Sequence, residues 1–79
     1  MTLRELHNCM AVLRSIDSYE LPWSSETNLA FLKNPYDFFL RSDDQRQEIL
    51  WGIIQRRLSP GKPISTFDES IVKKVRDAL

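Results

Sequence analysis

The amino-acid sequence predicts an all-α fold, a compact orthogonal bundle of about five helices (two of them short) with the fourth helix central. Three observations point there. Helix start and stop signals punctuate the 79 residues at short intervals. The stretches between them repeat apolar residues at helical rather than alternating spacing. The stretch Ser42–Leu58 carries an apolar arc of about 200° when residues are placed at ~100° steps, wider than the stripe of a helix resting on one neighbour. The whole chain, 1–79, reads as one helical domain, with no repeat, low-complexity tract or dividing linker.

Thr2 and Glu5 form a capping-box pair, in which N-cap and N3 side chains satisfy each other's free backbone N–H groups. Leu6, Met10, Leu13 and Ile16 follow on one face, with Leu3, Cys9 and Val12 beside them, so the first helix is expected from about residue 3 to 18. Pro22 ends it, because the residue before proline is pushed out of the α region. Tyr19–Ser24 is expected as a loop. Ser24 or Ser25 caps a short second helix at roughly 26–33, whose apolar members are Leu29, Phe31 and Leu32. Asn34 stops that helix and caps the next, and Pro35 takes the first helical position, where its missing N–H costs nothing. The third helix, about 35–41, holds Tyr36, Phe38, Phe39 and Leu40.

Ser42 with Gln45 reads as a second capping box for the fourth helix. Asp43 and Asp44 in its first turn, and Arg56 and Arg57 in its last, complement the helix dipole. Ser59–Pro60–Gly61–Lys62–Pro63 ends it. The fifth helix starts at Thr66 or at Asp68. With Asp68 as cap, Phe67 and Val72 can pack as a hydrophobic staple. Phe67, Ile71, Val75 and Leu79 share one face, while Lys73, Lys74 and Arg76 largely face water.

A chain this short buries only ~60–65% of its unfolded surface. Cys9 is the sole cysteine and His7 the sole histidine, which excludes an internal disulfide and leaves a four-ligand zinc site incomplete. Stability must come from dense packing, for which eight aromatic residues are available, or from self-association. The 11 basic and 11 acidic side chains balance, so nothing in the net charge calls for nucleic acid or anionic membrane. Residues 1–50 carry five Lys/Arg against eight Asp/Glu, and residues 51–79 six against three, a mild charge dipole along the chain. The charged start MTLREL is not expected to act as a secretory signal, and no run approaches the ~18–20 apolar residues of a membrane span. A cytoplasmic location is expected.

No catalytic constellation stands out. His7 and Cys9 lie two apart on a helix and point about 200° away from each other, whereas a nucleophile and its base need contact. Asp43, Asp44 and Glu48 suit a helix start better than a metal loop. No metal, cofactor or small-molecule substrate is expected, and the chain is not expected to be an enzyme. The expected function is a non-enzymatic protein–protein interaction module: a small adaptor, regulator or inhibitor that occupies a partner protein's surface, possible also as a homodimer. Accessory proteins of phages and mobile elements often share this profile, an association and not a derivation.

Two surfaces are candidates for the partner interface. In the fourth helix, Ile49, Leu50 and Ile53 can fill the core while Trp51, Ile54 and Leu58 continue the arc toward the far side. Gly52 lies opposite Leu50 and Ile54, where another backbone could approach. The competing reading is that flanking helices cover the entire arc. The second candidate is Tyr19, Trp23 and Tyr36, either a docking patch or plain packing, since aromatic side chains are enriched at binding hot spots. The alternative function is a small nucleic-acid-binding regulator using Arg56, Arg57, Lys62, Lys73, Lys74 and Arg76 of the basic C-terminal helices.

Overall fold

Thr2 opens the first helix through a reciprocal pair of bonds. In the computed structural model, which describes residues 1–79, the Glu5 amide donates to Thr2 Oγ1 (3.1 Å) and the Thr2 amide donates to Glu5 Oε1 (3.2 Å). The helix so capped, α1 (Leu3–Ser15), buries Leu6, Cys9, Met10, Val12 and Leu13. It stops short of the expected residue 18. Ile16 is extended at φ −68°, ψ 129° and buries its side chain. A 3₁₀ turn, Ser18–Glu20, then occupies the expected loop. Glu20 Oε2 accepts the Asp17 amide at 2.7 Å and closes that turn.

α2 (Ser25–Lys33) is capped by Ser24, whose Oγ accepts the Thr27 amide at 3.2 Å. Asn34 ends it and begins α3 (Pro35–Arg41), accepting the Asp37 amide on Oδ1 at 3.2 Å with Pro35 at the first helical position. α4 spans Asp44–Leu58. Its cap is Asp43, whose Oδ1 accepts the Arg46 amide at 2.9 Å, and the expected box of Ser42 with Gln45 does not form. The Ser42 hydroxyl donates instead to Phe38 O at 2.5 Å, and the buried Gln47 donates from Nε2 to Phe39 O at 2.9 Å. These two bonds satisfy carbonyls at the end of α3 and set how α4 leaves it.

Pro60 and Gly61 turn the chain after α4. Gly61 has φ +75° and the Lys62 amide donates to Ser59 O at 3.2 Å. Proline followed by a residue of positive φ is the type II pattern, and glycine alone meets it without steric cost. α5 (Glu69–Ala78) begins at Asp68, whose Oδ1 accepts the Ser70 amide at 2.8 Å. The Phe67 ring before it packs into the core, with centroids 6.3 Å from Phe39 and 6.2 Å from Trp51.

Sixteen buried apolar side chains form one cluster, in which Leu13, Phe31, Phe39 and Leu50 are the most completely enclosed. α1 and α3 flank α4, while α5 packs across α1 and α3 and brings Ile71 and Val75 against Trp51 and Ile54. The wide arc of α4 is therefore covered by other elements of the same chain from Leu50 to Ile54, and only its end at Leu58 is left open. A void among these residues measures about 10 Å³, at the lower limit of what one water needs. The accessible surface is 5291 Å², near the roughly 5,000 Å² expected of a closed monomer of this mass. No strand is present, and no helix is long and apolar enough to cross a membrane.

Candidate partner-binding surface

The apolar arc of α4 is core from Leu50 to Ile54. Trp51 retains 4% of its exposure and Ile54 2%, which corrects their expected place at an interface. The Trp51 indole Nε1–H donates to Ser65 O at 2.9 Å, so its polar atom is satisfied internally while its ring lies against Phe67. Over Gly52 lies a side chain of its own helix and no other backbone. The nearest atom to a Cβ placed there would be Arg56 Nη1, at 3.3 Å, the far end of a side chain folded back along the same helix. Only Leu58 of the expected trio is exposed. It sits at the rim of an open groove of about 500 Å³ that also takes in Met1, Glu5, Asp68 and Lys74.

The aromatic trio separates in the same way. Trp23 is half-buried, its ring centroid 5.4 Å from that of Phe38, with the Arg46 guanidinium 5.8 Å from its centre. A guanidinium at that distance is attracted by the ring's quadrupole. Tyr36 is half-buried too, and its hydroxyl donates to Met10 O at 3.2 Å, tying α3 to α1. Both rings hold the fold together. Tyr19, on the 3₁₀ turn, projects into solvent at 82% exposure.

The exposed apolar surface that sequence reasoning missed lies on α2. Leu29 is 55% and Leu32 42% exposed, and Phe31 is the one α2 residue fully in the core. The spacing carries a signal for this. At 100° per residue Phe31 stands about 160° from Leu29 and about 100° from Leu32, so the three cannot share one stripe. Burying Phe31 turns the two leucines outward. The 3₁₀ turn packs on α2, and Asn28 Nδ2 donates to Ser18 O at 3.4 Å. Asn28 and Leu32 are one turn apart, so Tyr19 and the two leucines lie on adjoining elements. Asn28 Oδ1 is buried there without a hydrogen-bond partner.

Glu26 and Lys33 frame this face. On the helix they fall about 60° and 40° from Leu29, on the side away from Leu32. Neither joins an ion pair: the two salt bridges of the structure are Asp37–Arg41 and Glu20–Arg57.

The basic residues of the second half do not gather into one stripe. Arg57 is engaged within the chain. Its Nη1 donates to Ser15 Oγ at 2.7 Å and to Ser15 O at 3.4 Å, and its Nη2 to Glu20 Oε1 at 2.5 Å. That bond, with the Asp17 amide as second donor, holds the Glu20 carboxyl below its ordinary range. Arg56 lies back over Gly52. Lys62 occupies the turn after α4. Lys73 and Arg76 border a depression shared with Asp44, Glu69 and Asp77, whereas Lys74 borders the Leu58 groove with Glu5 and Asp68. Apart from Lys62, these cations border three separate depressions, each of which also holds at least one carboxylate.

Reactive chemistry is likewise dispersed. His7 is exposed and Cys9 buried. Burial, and then the nearby Glu5, push the Cys9 thiol up, away from the nucleophilic thiolate. The other carboxyls held low are helix caps: Glu5 by the Thr2 amide and hydroxyl, Asp68 by the Ser70 hydroxyl and amide. No group of three or more His, Cys, Asp or Glu side chains could hold a metal ion. Comparison with protein-family models, curated proteins and solved structures finds no match to this chain.

Proposed function

We propose that this chain is a non-enzymatic protein-interaction module that docks through the face made by the 3₁₀ turn and α2. One observation supports the reading above the others: Tyr19, Leu29 and Leu32 are exposed on adjoining elements, although the core closes without them. Exposed apolar side chains grouped on one surface mark contact sites, whereas scattered ones need no explanation. Tyr19 adds an amphipathic ring of the type enriched at hot spots. Electrostatics enter through Glu26 and Lys33 at the edge, where charge sets orientation and encounter rate more than affinity. A nucleic-acid interface is the weaker reading, because such surfaces draw on clustered cations and here Arg57 is committed to Glu20.

A photo-crosslinking residue placed at Leu29, and separately at Lys62 as an exposed control, tests the proposal in cells that make the protein. Adducts with protein are expected from position 29 and not from 62. Paired Leu29→Glu and Leu32→Glu substitutions in the context of Tyr19-directed crosslinking should abolish the adduct while leaving helical CD unchanged. The proposal falls if position 29 gives no protein adduct, or if the paired substitutions unfold the chain.

A further inference from the structure

We infer that the partner covering the α2 face is a second copy of this chain, the two α2 helices lying antiparallel across a two-fold axis; the inference rests on that face being the docking surface. Charge complementarity carries it. Glu26 and Lys33 lie on the same side of α2, at opposite ends of the exposed apolar face, and neither has an ion-pair partner within the chain. A two-fold axis passing between Leu29 and Ala30 sets Glu26 opposite Lys33 of the partner subunit, and symmetry repeats the pair at the other end. Seven residues of helix separate the two charges by about 10.5 Å, room for the Leu29 side chains of both copies between them. The antiparallel arrangement also opposes the two helix dipoles, and a parallel one would bring like charges together.

Two further features agree. The formal net charge of zero gives two copies no long-range repulsion to overcome. Tyr19, held beside α2 by the Ser18–Asn28 bond, stands on the Leu32 side of that helix, across Leu29 from the two charges, and borders the contact there. A nine-residue helix is only about 13.5 Å long, so the contact falls short of the roughly 800 Å² per partner of a standard interface. The dimer is therefore weak and reversible.

Sedimentation velocity of the purified chain from micromolar to near-millimolar concentration reads this out. The sedimentation coefficient should rise from monomer toward dimer. Glu26→Lys alone and Lys33→Glu alone should each weaken self-association about tenfold or more, since each turns two attractive pairs into repulsive ones. An equimolar mixture of the two variants should associate again, because the new cation at position 26 of one variant then meets the new carboxylate at position 33 of the other. CD of each variant at low concentration checks that α2 survives, and paired Leu29→Gln and Leu32→Gln substitutions, which leave both charges in place, should also lower association. A chain that stays monomeric throughout, or a mixture that associates no better than its components, overturns the inference. If position 29 then still crosslinks to a different protein, the docking surface stands and only the identity of its occupant was wrong.

Discussion

Arg57 offers the sharpest test of how this small bundle holds its ends together. Its guanidinium reaches Ser15 at the end of α1 and Glu20 in the 3₁₀ turn, 42 and 37 residues back along the chain. Hydrogen bonds to a charged group contribute about 1.5–3 kcal/mol each. The Arg57 side chain keeps 35% of its exposure and Glu20 keeps 20%, so screening by solvent lowers the sum to about 1–2 kcal/mol. Arg57→Ala should therefore lower the melting temperature by roughly 4–16 °C, at about 4–8 °C per kcal/mol for a domain of this size. The pH dependence has a definite sign. Arg57 holds the folded Glu20 carboxyl below its ordinary range. The stabilisation is then complete above the unfolded value near ~4.3 and is lost as the pH falls through the folded value. Thermal melts followed by far-UV CD at neutral pH and below pH ~3.5 should show the Arg57→Ala penalty shrinking in acid. Glu20→Gln should reproduce most of the penalty at neutral pH, and the double variant should lose less than the sum of the singles by about 1 kcal/mol. Additive losses, or a penalty unchanged in acid, would refute the assignment of Arg57 and Glu20 to one clamp.

Trp51→Ala removes a buried ring and its bond to Ser65; a loss of about 3–5 kcal/mol is expected, as large as the net stability a core of this size supplies. Urea titration should find the variant mostly unfolded without denaturant, and a stably folded variant would mean that Trp51 belongs to the surface after all. Gly52→Ala should raise stability by about 0.5–1 kcal/mol, because alanine suits a helix interior better and the atom its Cβ would meet is the mobile tip of Arg56. A lower melting temperature would show that something closer than Arg56 occupies that space.

Local chemistry is legible in the sequence and tertiary choice is not. The Thr2–Glu5 box and the Asn34–Pro35 junction appear where expected because each bond spans three residues and depends on nothing else. At Ser42–Asp43 two adjacent oxygens can both cap α4. The decision falls to Asp43 because the Ser42 hydroxyl finds Phe38 O across the α3–α4 corner. Periodicity reveals the width of the α4 arc but not the number of neighbours that meet it. Trp51 and Ile54 are thus open to either reading until α5 and Phe67 are placed over them. By its position Arg57 is a dipole partner at a helix end, and its ion pair with Glu20 cannot be seen, since nothing local links the two. The candidate surface is half legible: Tyr19 stands out beside its proline-bounded loop, whereas Leu29 and Leu32 read as the apolar members of a packed helix.

The displacement of those two leucines follows from the shortness of α2. A nine-residue helix can commit one narrow stripe to a bundle, and Phe31, wholly buried and edge-on to Phe38 at 5.5 Å, takes it. A polar side chain at 29 or 32 would cost the folded monomer far less than one in the core, because Leu29 keeps 55% and Leu32 42% of its exposure. The two leucines therefore ask for an explanation outside the monomer, which the fully buried Leu50 of α4 does not. The Arg57 clamp bears on the same question. Glu20 is the last residue of the 3₁₀ turn and Tyr19 the one before it, so the bond that closes the bundle also fixes the backbone from which Tyr19 projects. An exposed ring on a tethered turn loses less conformational freedom on docking than one on a mobile loop. The cation that the sequence offers as a helix-dipole partner, and only under the alternative function as a nucleic-acid contact, contributes to binding on this account as the brace behind an aromatic anchor.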